Sequence, residues 1–270
     1  MSRPLVLGVI NVTPDSFSDG GAGVAPGAAS EPGQDRIAQG ADFLDIGGES
    51  TRPGAERPSE AEELRRVIPV VTALVETGVP VSIDTMRASV AARALAAGAR
   101  MLNDVSGGAA DPDMAPLAAE AGVPFIAMHW RGHSADMQSR AVYDDVVREV
   151  CDELRERVDT LRDIGIRDEN LIIDPGFGFA KTADHNWSLL RRLDEIVALG
   201  PRVLIGTSRK AFLGRVGREP GDERPPKGRD IATATTSLYA ALHGVWALRV
   251  HDVASTVDAL DVAEAIKEAR

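Results

Sequence analysis

Eight short apolar runs recur along the chain, each followed by a stretch with helical periodicity: LVLGVIN (5–11), DFLDIGG (42–48), PVSIDT (80–85), RMLNDVSG (100–107), PFIAMHW (124–130), NLIIDPG (170–176), RVLIGTS (202–208) and ALRVHDV (247–253). Most lack clean polar alternation, the pattern of parallel strands covered on both faces. Between them, Leu64, Val67, Ile68, Val71, Leu74 and Val75 form one apolar helical stripe. Val142, Val146, Val147, Val150 and Leu154 form another. Pro69 lies inside the first stripe and is expected to kink it. Gly40, Gly78, Gly98, Gly122, Gly165, Gly200 and Gly244 precede the later strands, where a left-handed residue closes a helix. Eight strand–helix units in 270 residues predict an α/β fold, a (β/α)8 TIM barrel in a single domain over 1–270. A doubly wound open sheet is the runner-up. Its dinucleotide-binding form fits poorly, because GFGFAK (176–181) lacks the third glycine of the phosphate fingerprint. The stretches 20–33 and 217–230 read as surface loops within the domain.

Charge and composition narrow the function. A net charge of −11 argues against a general nucleic-acid surface, so an anionic ligand would need a local cluster of cations. No run of ~18 apolar residues is present, which argues against a membrane span. The start MSRPLVLGVIN enters strand-like sequence without the pattern of a signal peptide. Cys151 is the one cysteine, so no internal disulfide can form, in keeping with a reducing, cytoplasmic setting. It lies on a helix-like stretch and is expected to be packed rather than reactive.

The chemistry collects where the strands end: Asn11, Glu49-Ser50-Thr51, Asp84, Asn103-Asp104, His129, Asp174, Ser208-Arg209-Lys210, and Arg249 with His251. In a barrel these ends share one face, where such enzymes keep their active sites. Residues i and i+2 of a strand point the same way, so Arg249 and His251 should project together, roughly 6–7 Å apart. With Lys210 after strand 7, they form the required cationic cluster and read as an anion site. The bland reading is a satisfied histidine beside an ion-paired arginine. Asp84 and Asp174 could cap helices or pair with Arg87 or Lys181; alternatively they accept paired N–H donors from a ligand. Asn103 adds a donor and an acceptor. Together these groups suit a flat amino-substituted heterocycle carrying phosphate. His129 and His133 have i,i+4 spacing, but Gly132 and the lack of a third ligand make a zinc site a poor reading.

The motifs NVTPDSFSDGG, DIGGESTRPG, VSIDT, NDVSGG, DPGFGFAKT, GTSRKAFLG and RVHDV occur in the order in which they occur in dihydropteroate synthases, and the chain resembles that family over essentially its whole length. The resemblance implies a pterin-binding (β/α)8 barrel, usually a homodimer. The implied reaction joins 6-hydroxymethyl-7,8-dihydropterin diphosphate to 4-aminobenzoate in folate biosynthesis, giving 7,8-dihydropteroate and diphosphate with Mg2+ as cofactor. Carried over, Asp84, Asn103 and Asp174 bind pterin, and Lys210 reaches it beside the aminobenzoate pocket. Arg249 and His251 hold the diphosphate, Asn11 helps to place Mg2+, and Thr51 contacts substrate. Phe17, Pro53 and Phe179 wall the aminobenzoate pocket. Sulfonamides are the inhibitors the resemblance implies. A pterin-barrel methyltransferase would share Asp84, Asn103 and Asp174 but would not need the NVTPDSFSDGG loop or the RVHDV pair.

The loop after strand 1, rich in Gly, Asp and Ser, reads as a mobile lid. Phe17 would cover the aminobenzoate ring while Asp15 or Asp19 approaches the metal or the amine. Many relatives have Ser after the SRK lysine; here it is Ala211, leaving backbone N–H groups at that helix start to meet the aminobenzoate carboxylate. The Gly- and Pro-rich stretch before the first helix places that helix's start at Ser30 or later.

Overall fold

The structure, a computed structural model, describes residues 3–12, 26–49, 57–133, 137–219 and 221–269. Each apolar run becomes a strand: β1 (Leu5–Asn11), β2 (Phe43–Gly47), β3 (Val81–Asp84), β4 (Met101–Asp104), β5 (Phe125–Met128), β6 (Leu171–Asp174), β7 (Arg202–Ile205) and β8 (Ala247–Val250). All are parallel, pair in chain order, and close into a barrel through β1 and β8.

Strand pleating divides the side chains into two cores. Val6, Leu44, Ile83, Leu102, Ile173, Ile205 and Leu248 face the helices and belong to the larger cluster. The alternate residues Leu7, Met101, Ile126, Ile172, Leu204 and Ala247, with Phe43 packed on them, form a separate plug inside the barrel. One pleat above that plug the interior changes character, because the next inward residues are Asp45, Asn103, Asp174 and Arg249.

Helices α1 (Pro26–Ala38), α2 (Glu60–Val75), α3 (Ala88–Ala96), α4 (Met114–Ala121), α5 (Val146–Ile164), α6 (Ala183–Arg191), α7 (Leu193–Val197), α8 (Ala211–Gly214), α9 (Asp230–Leu242) and α10 (Val253–Glu268) fill the connections. The seven glycines singled out above all have positive φ; Gly122 and Gly165 are the left-handed residues that close α4 and α5. Two expectations change, the starts of α1 and of α5. Helix α1 starts at Pro26, ahead of Ser30, since a proline at the first helical position costs no hydrogen bond. Pro69 lies inside α2 as expected, with Val67, Val70, Val71 and Leu74 buried on either side of it. Val142 is 74% exposed and precedes α5, which starts at Val146 after its N-cap Asp145.

Candidate active site

At the barrel mouth, Asn11, Gly47, Asp84 and Asn103 lie side by side in register across β1 to β4. A side chain at Gly47 would come within 3.5 Å of the Asp84 side chain, so glycine there keeps the space before that carboxylate open. Gly206 does the same beside Asp174 and Arg249, where an added Cβ would lie 3.7 Å from Asp174 Oδ2.

Asp45 is the hub of the layer beneath. Fully buried, it accepts from Arg249 Nε at 2.6 Å and from Asn103 Nδ2 at 3.0 Å, both on Oδ2. Its Oδ1 and the Oγ of its register neighbour Ser82 find no partner among the described residues. Arg249 uses Nη2 to reach Asp84 Oδ2 at 2.7 Å. One guanidinium therefore joins two carboxylates on neighbouring strands across the β1–β8 closure.

The electrostatics follow from burial. Burial pushes Asp84 up to about 7 against the pull of Arg249, and Asp45, Asp104 and Glu49 add to the rise. Burial also raises Asp174, opposed by the Gly176 N–H and by Lys210, Arg249 and Lys181. Burial works against the Arg249 charge, but Asp45 and Asp84 outweigh it and hold that guanidinium above its ordinary range. These carboxylates are poised to meet N–H donors, and filling the mouth with such donors would relieve the strain of desolvating them.

The loops after β6 and β7 bring the remaining groups. Asp174 Oδ1 accepts from Gly176 N at 2.7 Å. Lys210 Nζ sits 3.9 Å from the centroid of the buried Phe179 ring, a cation–π contact. Gly178 permits this, since a Cβ there would stand 2.9 Å from Lys210 Cδ. Burial and Arg249 push Lys210 down to about 8, with Asp174 and Asp84 opposing. Arg209, at φ 59, is a strained non-glycine residue. Its guanidinium is held by Asp230 at 2.7 and 2.9 Å, which fixes the turn that presents Ser208 and Lys210. Ser208 Oγ lies 2.9 Å from His251 Nδ1 and accepts from His251 N. Burial, then Arg249, Arg209, Lys210 and Arg36, lower His251 to about 3. The same four cations make this corner favourable for an anion.

Set against the sequence expectations, Asp84, Asn103, Asp174, Lys210, Phe179 and Arg249 converge on the mouth. Asp84 pairs with Arg249, not with Arg87 or Lys181: Arg87 turns to Glu63, and Lys181 to His129 and Phe179 O. His251 lies just past β8 rather than on it, and Arg249 is ion-paired within the barrel as the bland reading had it. Asp104 faces away from the mouth and caps the turn through Ser106 and Gly108. Helix α8, which begins at Ala211, is one turn of four residues. Cys151 is buried, and burial raises its thiol. Phe17, Asp19, Thr51 and Pro53, with Asp15, lie outside the described residues. Sequence reasoning missed Asp45, and it named Ser208 at the end of strand 7 without its partner His251. Asp45 stands in mid-strand, and its signal was the pleat: it follows Phe43 by two, as Asn103 follows Met101.

Residues 7–251 match the family described as pterin binding enzyme. A dihydropteroate synthase of Mycobacterium leprae is 54% identical over 95% of this chain and 91% of its own length. The solved structure of a Xanthomonas albilineans dihydropteroate synthase with 4-aminobenzoic acid superposes with a TM-score of 0.91 at 45% identity, covering 100% of this chain and 95% of that one. A Yersinia pestis dihydropteroate synthase in complex with a sulfonamide drug superposes with a TM-score of 0.90 at 40% identity, over 99% and 95% of the two chains.

Proposed function

Because this chain belongs to the pterin-binding enzyme family, in its dihydropteroate synthase branch, we propose that the barrel mouth is where its two substrates meet. The activity is a transferase step of folate synthesis: 6-hydroxymethyl-7,8-dihydropterin diphosphate and 4-aminobenzoate give 7,8-dihydropteroate and diphosphate. The observation that carries the site assignment is the interior layer in which Asp45 and Arg249 tie Asn103 and Asp84 together beside Asp174.

In this reading Asp174, Asp84 and Asn103 meet the donors and acceptors of the pterin ring. Lys210, backed by Phe179, lies at the junction of the pterin and the aminobenzoate. Arg249 and His251, with Arg209 and Lys210 nearby, receive the diphosphate as the C–O bond to the pterin methylene breaks. The ring shares the positive charge left on the methylene. The neutral amine of 4-aminobenzoate then attacks that carbon and loses one proton, and no protein nucleophile takes part. Phe17, Asp19, Thr51 and Pro53 belong to the same proposal as the covering loops of the aminobenzoate pocket.

Mg2+ is part of the proposal. Among the described residues no group of three or more His, Cys, Asp or Glu could hold a metal. The carboxamide of Asn11 at the mouth end of β1 is a hard oxygen donor that fits an ion otherwise held by substrate phosphate and water. When bound, Mg2+ supplies charge to the departing diphosphate.

Two features support a second copy of the chain as partner. Helices α9 and α10 pack on each other, and they carry the exposed apolar side chains Ile231, Leu242, Val262 and Ile266. We propose that the whole of 1–270 acts as one barrel unit within a homodimer in the cytoplasm, with sulfonamides competing for the aminobenzoate pocket. Among the described residues no helix is long and apolar enough to cross a membrane.

The deciding assay is release of diphosphate from dihydropterin diphosphate and Mg2+. The proposal requires that release depend on 4-aminobenzoate; release at the same rate without it would remove the synthase reading.

A further inference from the structure

Behind the β6–α6 loop lies a polar chain, buried at Lys181 and His129 and half-buried at Glu153 and Arg131, that the proposed reaction does not use. Lys181 is 4% exposed, and its Nζ donates to Phe179 O and to His129 Nδ1, both at 3.0 Å. With Nδ1 accepting, the imidazole proton sits on Nε2, which faces Glu153 Oε2 at 2.9 Å. Glu153, on α5, is gripped in turn by Arg131, which also pairs with Glu149 at 3.0 Å and lies 3.9 Å from the centroid of the Tyr143 ring. Tyr143 closes the circuit, donating its hydroxyl to Ala180 O at 3.1 Å.

This chain ends on a strained piece of backbone. Ala180 has φ 47, a conformation an alanine holds only when its surroundings impose it. The anchors sit on its two sides: Lys181 Nζ on the carbonyl of residue 179 and the Tyr143 hydroxyl on that of residue 180. Gly176 and Gly178 bring the loop close to its neighbours, with an added Cβ falling 2.6 Å from His129 O and 2.9 Å from Lys210 Cδ respectively. The loop places the Phe179 ring against Lys210. A buried lysine costs desolvation, and burial pushes Lys181 down to about 7 and His129 down to about 4. A loop needing only a solvated connection would not require that arrangement.

We propose that Lys181, backed by His129 and Glu153, is a positioning residue for the aminobenzoate half of the reaction: it pins the Phe179 carbonyl so that the Phe179 ring stays under Lys210 and walls the aminobenzoate pocket. The inference rests on the synthase reading above. Asp174, at the other end of the loop, is held in place by its own hydrogen bond from Gly176 N, and Lys181 reaches it only through its charge, so the position of Asp174 does not depend on the Lys181 anchor.

The test compares Lys181→Met, which keeps the length and removes the donor, with Tyr143→Phe, which removes one hydroxyl and no charge. Each is assayed for kcat, for the aminobenzoate KM, and for the Kd of a pterin ligand, with thermal melting to verify folding. Loss of a buried hydrogen bond to a loop carbonyl corresponds to roughly a tenfold rise in the aminobenzoate KM in Lys181→Met and about threefold in Tyr143→Phe. Pterin Kd should stay within about threefold. A general structural defect would weaken both ligands alike, and that outcome in Lys181→Met overturns the proposal, as does an unchanged aminobenzoate KM. If Lys181→Met does not fold, Tyr143→Phe decides by the same criterion. A parent enzyme with no aminobenzoate-dependent turnover would strike the synthase reading instead, so the two failures are distinct.

Discussion

Arg249 Nε donates a 2.6 Å hydrogen bond to Asp45 Oδ2 across 204 residues of sequence, and the bond lies where the first and last parts of the barrel close on each other. The same Asp45 oxygen holds Asn103, so one buried carboxylate orients a residue proposed for the pterin and a residue proposed for the diphosphate. Asp45→Asn keeps the shape and removes the charge. It should lower stability by about 2 kcal/mol, the scale of a hydrogen bond to a charged group, and weaken both ligands together. Urea denaturation and calorimetry with pterin and with diphosphate check it; a loss confined to one ligand would contradict the shared role of Asp45.

Arg249→Ala should cost diphosphate binding about 2–3 kcal/mol, read by calorimetry in the presence of Mg2+. It should also destabilise the barrel, because Asp45 and Asp84 are 0% and 11% exposed and lose their shared cation. The structure thus adds a stability cost to what would be, for a purely ligand-facing arginine, a clean binding defect. Undiminished diphosphate affinity in a folded Arg249→Ala protein would take Arg249 out of the anion site.

Asp174→Asn replaces one acceptor with a donor where paired pterin donors are expected. The mismatch should reduce pterin affinity by roughly 100-fold. The Gly176 N–H that now meets Asp174 Oδ1 can still be met by the amide oxygen, so melting should change little by comparison. Pterin binding equal to the parent's would make Asp174 a loop cap and nothing more.

The buried imidazoles give a pH dependence of definite sign. Burial, followed by Lys181, lowers His129 from 6.5 to about 4. Between those values the unfolded chain holds a proton that the native one does not, so His129 contributes stability above 6.5 that is lost as pH falls toward about 4. Asp84, raised from 3.8 to about 7, acts in the opposite sense over the same range. The contrast between parent and His129→Gln isolates the imidazole: the variant's stability difference between pH 7.5 and 4.5 should be smaller than the parent's by roughly 2 kcal/mol. Denaturant titrations at the two pH values measure it, and parallel curves would show that His129 titrates normally.

The barrel was legible because its signals are local. A parallel strand covered on both faces needs a continuous apolar run, and a helix end needs a residue that tolerates positive φ, so runs and glycines marked the elements. Asp84, Asn103, Asp174 and Arg249 were legible because polar residues at strand ends have few structural reasons to cluster on one face. Asp45 was hidden by its position inside an apolar run, where only the pleat shared with Phe43 marks it as inward. The pairing of Arg249 with Asp45 and Asp84 joins strands far apart in sequence and could not be read from spacing. The chain from Lys181 through His129 to Glu153 joins the end of β5, α5 and the β6–α6 loop; the sequence marks His129 as a strand end, but Lys181 and Glu153 taken singly look like an ordinary loop and helix charge. Val142 shared the α5 periodicity but lies ahead of the N-cap Asp145, which starts the helix only after the stripe has begun.

Closure of the barrel through β1 and β8 also sets an order in time. During synthesis the pocket lacks Asp174 until β6 has emerged, Lys210 until after β7, and Arg249 until β8. Until then Asp45 and Asp84 await their cation, and the first strand has an open edge. A nascent or prematurely terminated chain therefore carries most of the scaffold and no complete pocket. A ligand of the mouth could not act as a folding aid for such a fragment; it could stabilise only chains that had been finished and closed.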